Sequence, residues 1–139
     1  MEGEQKINKH FVPKELCVLL KKLNFNETTI ATWENNKINL SEFLNSLDYE
    51  LCEKTNVFPA YTWEQAFDFF RDEKNLTGDV LLSPIIPKPR WVFCIETITH
   101  EDVFIHSEDF IDEPKFFPNH YLAKKECLKK MIELINKEE

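Results

Sequence analysis

Seven carboxylates, two imidazoles and no Lys or Arg fall within eighteen consecutive residues, ETITHEDVFIHSEDFIDE, from Glu96 to Glu113. Clustered carboxylates with imidazole can hold Mg²⁺ or Mn²⁺ and activate water on the metal. His100, Asp102, His106 and Asp109 are the set that would do so in a metal-dependent hydrolase or nuclease. Their spacing follows no metal-binding loop that can be named, and acids in turns are commonly just solvated. The same segment has an electrostatic use. Glu96, Glu101, Asp102, Glu108, Asp109, Asp112 and Glu113, displayed along a hairpin and the loop after it, would form a negative ridge. Such a ridge fits the basic cleft of a protein that normally holds DNA or RNA, because complementary potentials speed encounter and fix orientation. The plainest use is a solvated face that aids solubility.

Nucleophilic chemistry has less to work with. Cys94 stands six residues before His100, but strand alternation and the intervening turn give their side chains no reason to meet. Ser107 has no glycine-flanked elbow. Cys17, Cys52, Cys94 and Cys127 lie far apart, with no C-x-x-C and no nearby His partner, which predicts free, buried thiols in a reducing compartment. Two glycines in 139 residues, Gly3 and Gly78, leave no material for a phosphate-cradling loop. No nucleotide-binding fingerprint is present. The residues therefore predict no enzyme and no cofactor.

Charge is segregated along the chain. Residues 1–40 hold six Lys and five acids, residues 41–113 five Lys or Arg and 16 acids, and residues 114–139 six Lys and four acids, for a net −8. An acidic middle disfavours direct binding of nucleic acid, whose affinity rests on phosphate contacts from Lys and Arg. The polar start MEGEQKINKH has no apolar run, and no apolar stretch of membrane-spanning length follows. No membrane association and a cytoplasmic location are the expectation.

The elements that must position these groups read as one domain over residues 1–139, with 1–10 as a flexible leader. FVPKELCVLLKKLNF predicts a first helix with Pro13 at its first position and a stripe of Leu16, Leu19, Leu20 and Leu23. Asn24 is placed to end it in the left-handed region, with Phe25 folding back. TTIATWENNKINL predicts a hairpin turning at Asn35-Asn36. SEFLNSLDYELCEK is a short helix opened by Ser41, with Phe43, Leu44, Leu47 and Leu51 inward, or a loop with a single helical turn.

In AYTWEQAFDFFRDEKNL, Thr62 and Gln65 form a capping box that starts a helix at Trp63. Trp63, Ala66, Phe67 and Phe70 share its inner face, leaving Tyr61 and Phe69 either against a sheet or as an exposed aromatic anchor. Strands are expected at about 79–86, 90–98 and 102–106, with Pro84 marking the first as an edge and the second as the sheet centre. A last helix runs from about 120 to 137, capped by Asn119. Its inner stripe is Tyr121, Leu128, Met131, Ile132 and Ile135, and Lys124, Lys125, Lys129 and Lys130 stay in water. The fold class is α+β: a small antiparallel sheet of three to five strands with about three amphipathic helices, one helical layer on one sheet face.

Three segments, VPKELCVLLKKLNFNE, YTWEQAFDFFRDEKNL and AKKECLKKMIELI, resemble a group of small phage and prophage proteins with no assigned function. Those carry V-P-x-E-L-A-x-x-L-K-x-L-G-F-x-E, then T-W-x-Q-A-F-D-W-F-R-E-K, then E-A-x-x-A-C-L-x-K-L-I-E-I. The likeness spans about a third of the chain, in the same order. This sequence departs from the pattern at Asn24, where it has Gly, and at Phe69, where it has Trp, and it has a longer acidic insert between the first two segments. The resemblance implies a mobile-element origin and a compact α+β domain, and it carries no catalytic residue.

Together these readings predict a non-enzymatic, acidic inhibitor of a host nucleic-acid-handling defence complex, similar in role to an anti-CRISPR protein. It would act in the bacterial cytoplasm as a monomer or weak homo-oligomer. Its partner would be a host protein with a basic nucleic-acid-binding surface, such as a CRISPR effector. The seven acids would steer docking, and Tyr61, Phe69, Phe116 and Phe117 would anchor it. The alternatives are the metal-dependent hydrolase and a phage accessory or assembly protein acting by self-association.

Overall fold

The computed structural model describes residues 9–25, 27–40, 48–83, 90–97, 104–106 and 116–138, with backbone alone at 83, 97, 104–106, 137 and 138. The class is α+β, with four helices and two three-stranded antiparallel sheets among these residues. The chain forms two compact units, Met1–Ala66 and Phe67–Glu139.

In the first unit, helix α1 spans Lys14–Lys22 with Pro13 as its N-cap, so it starts one residue later than expected. Its buried residues are Leu16, Cys17, Leu20 and Lys21, whereas Leu19 is exposed and Leu23 half-buried. The buried stripe is thus rotated toward the C-terminal neighbours of the predicted one. Asn24 adopts φ 66° and closes the helix. The Phe25 amide donates to Leu20 and the Asn24 amide to Lys21, the paired bonds of a Schellman motif.

Strands β1 (Thr32–Glu34) and β2 (Lys37–Asn39) form the expected hairpin, Glu34 facing Lys37 across Asn35-Asn36. A third strand, β3 (Val57–Pro59), pairs with the other edge of β1, giving the order β2-β1-β3. Its three residues are too few to show alternation in sequence. Helix α2 (Tyr49–Thr55) leads into it, opened by Asp48, whose carboxylate accepts from the Leu51 amide, and closed by Asn56 at φ 55°. The cap is therefore Asp48, and Ser41, Phe43, Leu44 and Leu47 lie outside the described residues. Leu51 is exposed while Cys52 takes the inward position. The expected leader ends early as well, because the Lys9 carbonyl accepts from Trp63 Nε1 at 2.9 Å.

Helix α3 (Trp63–Lys74) begins at the capping box: the Gln65 amide donates to Thr62 Oγ1 at 3.2 Å, and the Thr62 amide to Gln65 Oε1 at 3.0 Å. Its last residues belong to the second unit, where Asn75 at φ 57° turns the chain into strand β4 (Leu76–Ser83). With β5 (Arg90–Thr97) and β6 (Phe104–His106) this makes a sheet of order β4-β5-β6, with β4 at the expected edge and β5 in the centre. Val92, Phe93, Cys94 and Ile95 are all buried, so both faces of β5 are covered. Beyond β6, the β5 residue Trp91 exchanges two backbone hydrogen bonds of 2.8 Å with Phe117.

Helix α4 (His120–Glu138) is capped by Asn119, whose Oδ1 accepts from the Leu122 amide at 2.9 Å. It packs on β4 and β5 through Ala123, Cys127, Leu128, Met131, Ile132 and Ile135. Burial stabilises by about 1.5–3 kcal/mol per large apolar side chain. Among its described lysine side chains Lys129 is exposed, whereas Lys124, Lys125 and Lys130 lay part of their stems on the surface.

Candidate functional site

Glu96 is the one member of the acidic segment within the described side chains. It stands near the end of β5, opposite Thr77 on one side and Phe104 on the other. It is exposed and makes no ion pair among the described residues. Glu101 and Asp102, which fall in sequence between β5 and β6, lie outside the described residues, as do Glu108, Asp109, Asp112 and Glu113. His100 does too, and of His106 only the backbone is described.

The register gives Cys94 a neighbour that spacing did not suggest. His106 occupies the position across from Cys94, and Asp79 is the partner of Cys94 on its other side. Directly opposed residues share a sheet face, so alternation and register together put these three positions in one row. Burial pushes the Cys94 thiol up, and the charges of Asp79 and Glu96 push it further in the same direction. At neutral pH the group is a protonated thiol, and the thiolate is the form that attacks or ligates. The same holds for the other three cysteines, all free and buried. Burial raises Cys17 to about 12, and raises Cys52 and Cys127. Among the described residues no group of three or more His, Cys, Asp or Glu is placed to hold a metal ion.

Two of the four aromatic anchor candidates are core residues. Tyr61 has no exposed surface, and its hydroxyl donates to the Phe25 carbonyl at 2.6 Å beneath a ring contact of 4.2 Å with Phe25. A buried phenol needs such an acceptor, and burial then raises its pKa. Phe69 is also buried, edge-on to Phe70 at 5.3 Å, with the Lys74 ammonium 5.9 Å over its ring. Neither ring is displayed to a partner. The inner face of α3 is consequently wider than the predicted one, with Phe69 buried and Phe67 half-buried. Phe116 and Phe117 are half-buried, and Phe117 is stacked on Phe93 at 6.0 Å.

The ion pairs of Arg71 and Lys130 run along helices. Arg71 of α3 holds Asp68 at 2.9 Å and Asp72 at 3.1 Å, and Lys130 of α4 holds Glu133 at 3.5 Å. Exposed pairs of this kind are worth little individually. Among the described residues Lys21 is a buried cation, 2% exposed, its pKa lowered by burial against opposing pulls from Cys52 and Asp48. No described helix is long and apolar enough to cross a membrane.

The sequence reading missed the surface of β4. Leu81 and Leu82, adjacent in the edge strand and so on opposite faces, are 48% and 53% exposed. Pro84 carried the edge signal, but nothing in the pattern distinguished a covered Leu from an uncovered one. Comparisons with protein-family models, with curated proteins and with solved structures find no match to this chain.

Proposed function

We propose that this protein is a non-enzymatic binding protein of phage or mobile-element type that inhibits a host nucleic-acid-handling defence complex, with a CRISPR effector or similar nuclease as the most concrete target. The observation that carries the reading is the charge segregation: 16 acids against five bases over residues 41–113, with seven of those acids and no base in residues 96–113. Glu96, exposed at the end of the central strand of its sheet and unpaired among the described residues, is consistent with such a display. A surface of this sign competes for the cleft that would otherwise hold phosphates. Of the aromatic candidates, Phe116 and Phe117 retain exposed area for the contact, and Tyr61 and Phe69 do not.

The test is affinity capture from a bacterial host lysate with the wild-type chain and with a variant reversed to Lys at Glu101, Asp102, Glu108 and Asp109. The wild type is expected to retain a nucleic-acid-binding protein that added DNA or RNA displaces, with affinity falling steeply as salt rises. The reversed variant is expected to lose it while keeping its circular dichroism spectrum. Equal capture by both would remove the electrostatic role.

A further inference from the structure

Strand β4 spans eight residues at the edge of its sheet, and among the described residues only β5 pairs with it. An edge strand left open offers a row of backbone donors and acceptors, and proteins that keep such edges single place charge or proline along them. Here Asp79 is the only charge in the strand, and beyond it Leu81 and Leu82 are both about half exposed on opposite faces. Apolar side chains on both faces of an open edge are what a continuing sheet would cover.

We propose that β4 is a self-association surface, pairing antiparallel with β4 of a second copy of this chain to make one continuous six-stranded sheet. A twofold axis perpendicular to the sheet keeps each residue on its own face, so allowed registers differ by steps of one residue in the position of the axis. Charge selects among them. An axis at Asp79 would set two carboxylates directly opposite each other, which is unfavourable. An axis at Val80 would place Asp79 against Leu81.

An axis at Leu81 pairs Leu81 with its copy, Val80 with Leu82 and Asp79 with Ser83. Within its own sheet Ser83 is the partner of Arg90, so Asp79 of one copy then shares a cross-strand row with Arg90 of the other. Two strand spacings separate them, about 10 Å, a span that an extended Arg side chain meeting a carboxylate can close. Both residues are exposed, and the twofold supplies the pair twice. This register covers all four leucines and matches opposite charges. It does not depend on the acidic segment or on the proposed inhibitory role.

Sedimentation of the full chain over a range of concentrations tests the proposal. A reversible monomer–dimer equilibrium is expected. Asp79→Arg should weaken the dimer by about tenfold or more, and adding Arg90→Asp should restore it, a charge-swap rescue that a merely destabilised fold would not give. Leu81→Lys should abolish dimerisation. Should that variant lose its circular dichroism spectrum, Leu81→Cys decides: because the four native thiols are buried, oxidation should yield a dimer linked through position 81 alone. A chain that sediments as a monomer up to its solubility limit overturns the proposal. So does a dimer indifferent to Asp79→Arg and not cross-linked by Leu81→Cys.

Discussion

Gly78 in β4 and Cys127 in α4 approach so closely that a methyl group on the glycine would stand 2.9 Å from Cys127 Sγ and 3.0 Å from Met131 Sδ. The residue is there for proximity: its missing side chain lets α4 settle on the sheet. Gly78→Ala should therefore destabilise by about 1–3 kcal/mol, the usual cost of overpacking a filled interior. In Cys127→Ala the offending sulfur is gone, so the double variant should lose less than the two single losses added. Chemical denaturation of the four proteins measures that coupling, and strict additivity would show that the helix shifts freely.

Positive φ falls to asparagine throughout: Asn24, Asn35, Asn56 and Asn75 are the described non-glycine residues in that region, at φ 55–66°. Asparagine tolerates the left-handed conformation better than most residues but less well than glycine. Asn24→Gly should be neutral or mildly stabilising, and Asn24→Ala should cost on the order of 1 kcal/mol. Asn56 should behave differently, because its amide donates to Asn35 Oδ1 at 3.1 Å and accepts from Lys14 Nζ at 3.0 Å. Asn56→Gly relieves the backbone but breaks both bonds, so it should stabilise less than Asn24→Gly in the same thermal-melt series.

His120 opens α4 edge-on to the Trp91 ring, at 4.8 Å. Partial burial, and secondly the positive charge of Lys124, hold its imidazole below the ordinary 6.5. A depressed histidine favours the neutral form when folded. Its contribution to stability is present above pH 6.5 and is lost as pH falls from there through the lower folded value. Proton NMR should place the His120 midpoint below that of a free imidazole, and Lys124→Gln should move it upward. A midpoint unmoved by that substitution would mean that burial alone sets it.

The buried thiols give the opposite dependence at high pH. Cys17 is raised from 9.0 to about 12, so the folded state keeps a proton that the unfolded chain releases. That contribution is intact below pH 9 and declines as pH rises toward 12. Native protein should react negligibly with a thiol reagent at pH 8, and all four cysteines should react once it is unfolded. Rapid reaction of one thiol in the native state would show that its site opens locally.

Much of the fold was legible because its signals are local. The capping box of Thr62 and Gln65, the Asn119 cap, the left-handed close at Asn24 and the two-residue turn at Asn35-Asn36 involve neighbours in sequence, and each is found where the residues place it. The central position of β5 was equally readable, since apolar residues on both of its faces require cover on both sides. The rotation of the α1 stripe onto Cys17 and Lys21 was not, because helical periodicity gives a face but not the neighbour it meets.

Residue type and order alone determined the α+β class, the concentration of acid in residues 96–113 and the absence of a glycine-built phosphate loop. Only tertiary structure decided that Tyr61 and Phe69 close cores instead of facing a partner, that His106 is the position across from Cys94, and that Leu81 and Leu82 stand uncovered on an edge. The physical reason is that burial and strand register are set by contacts between residues far apart in the chain. An aromatic or leucine side chain looks the same in sequence whether a distant element covers it or leaves it to solvent.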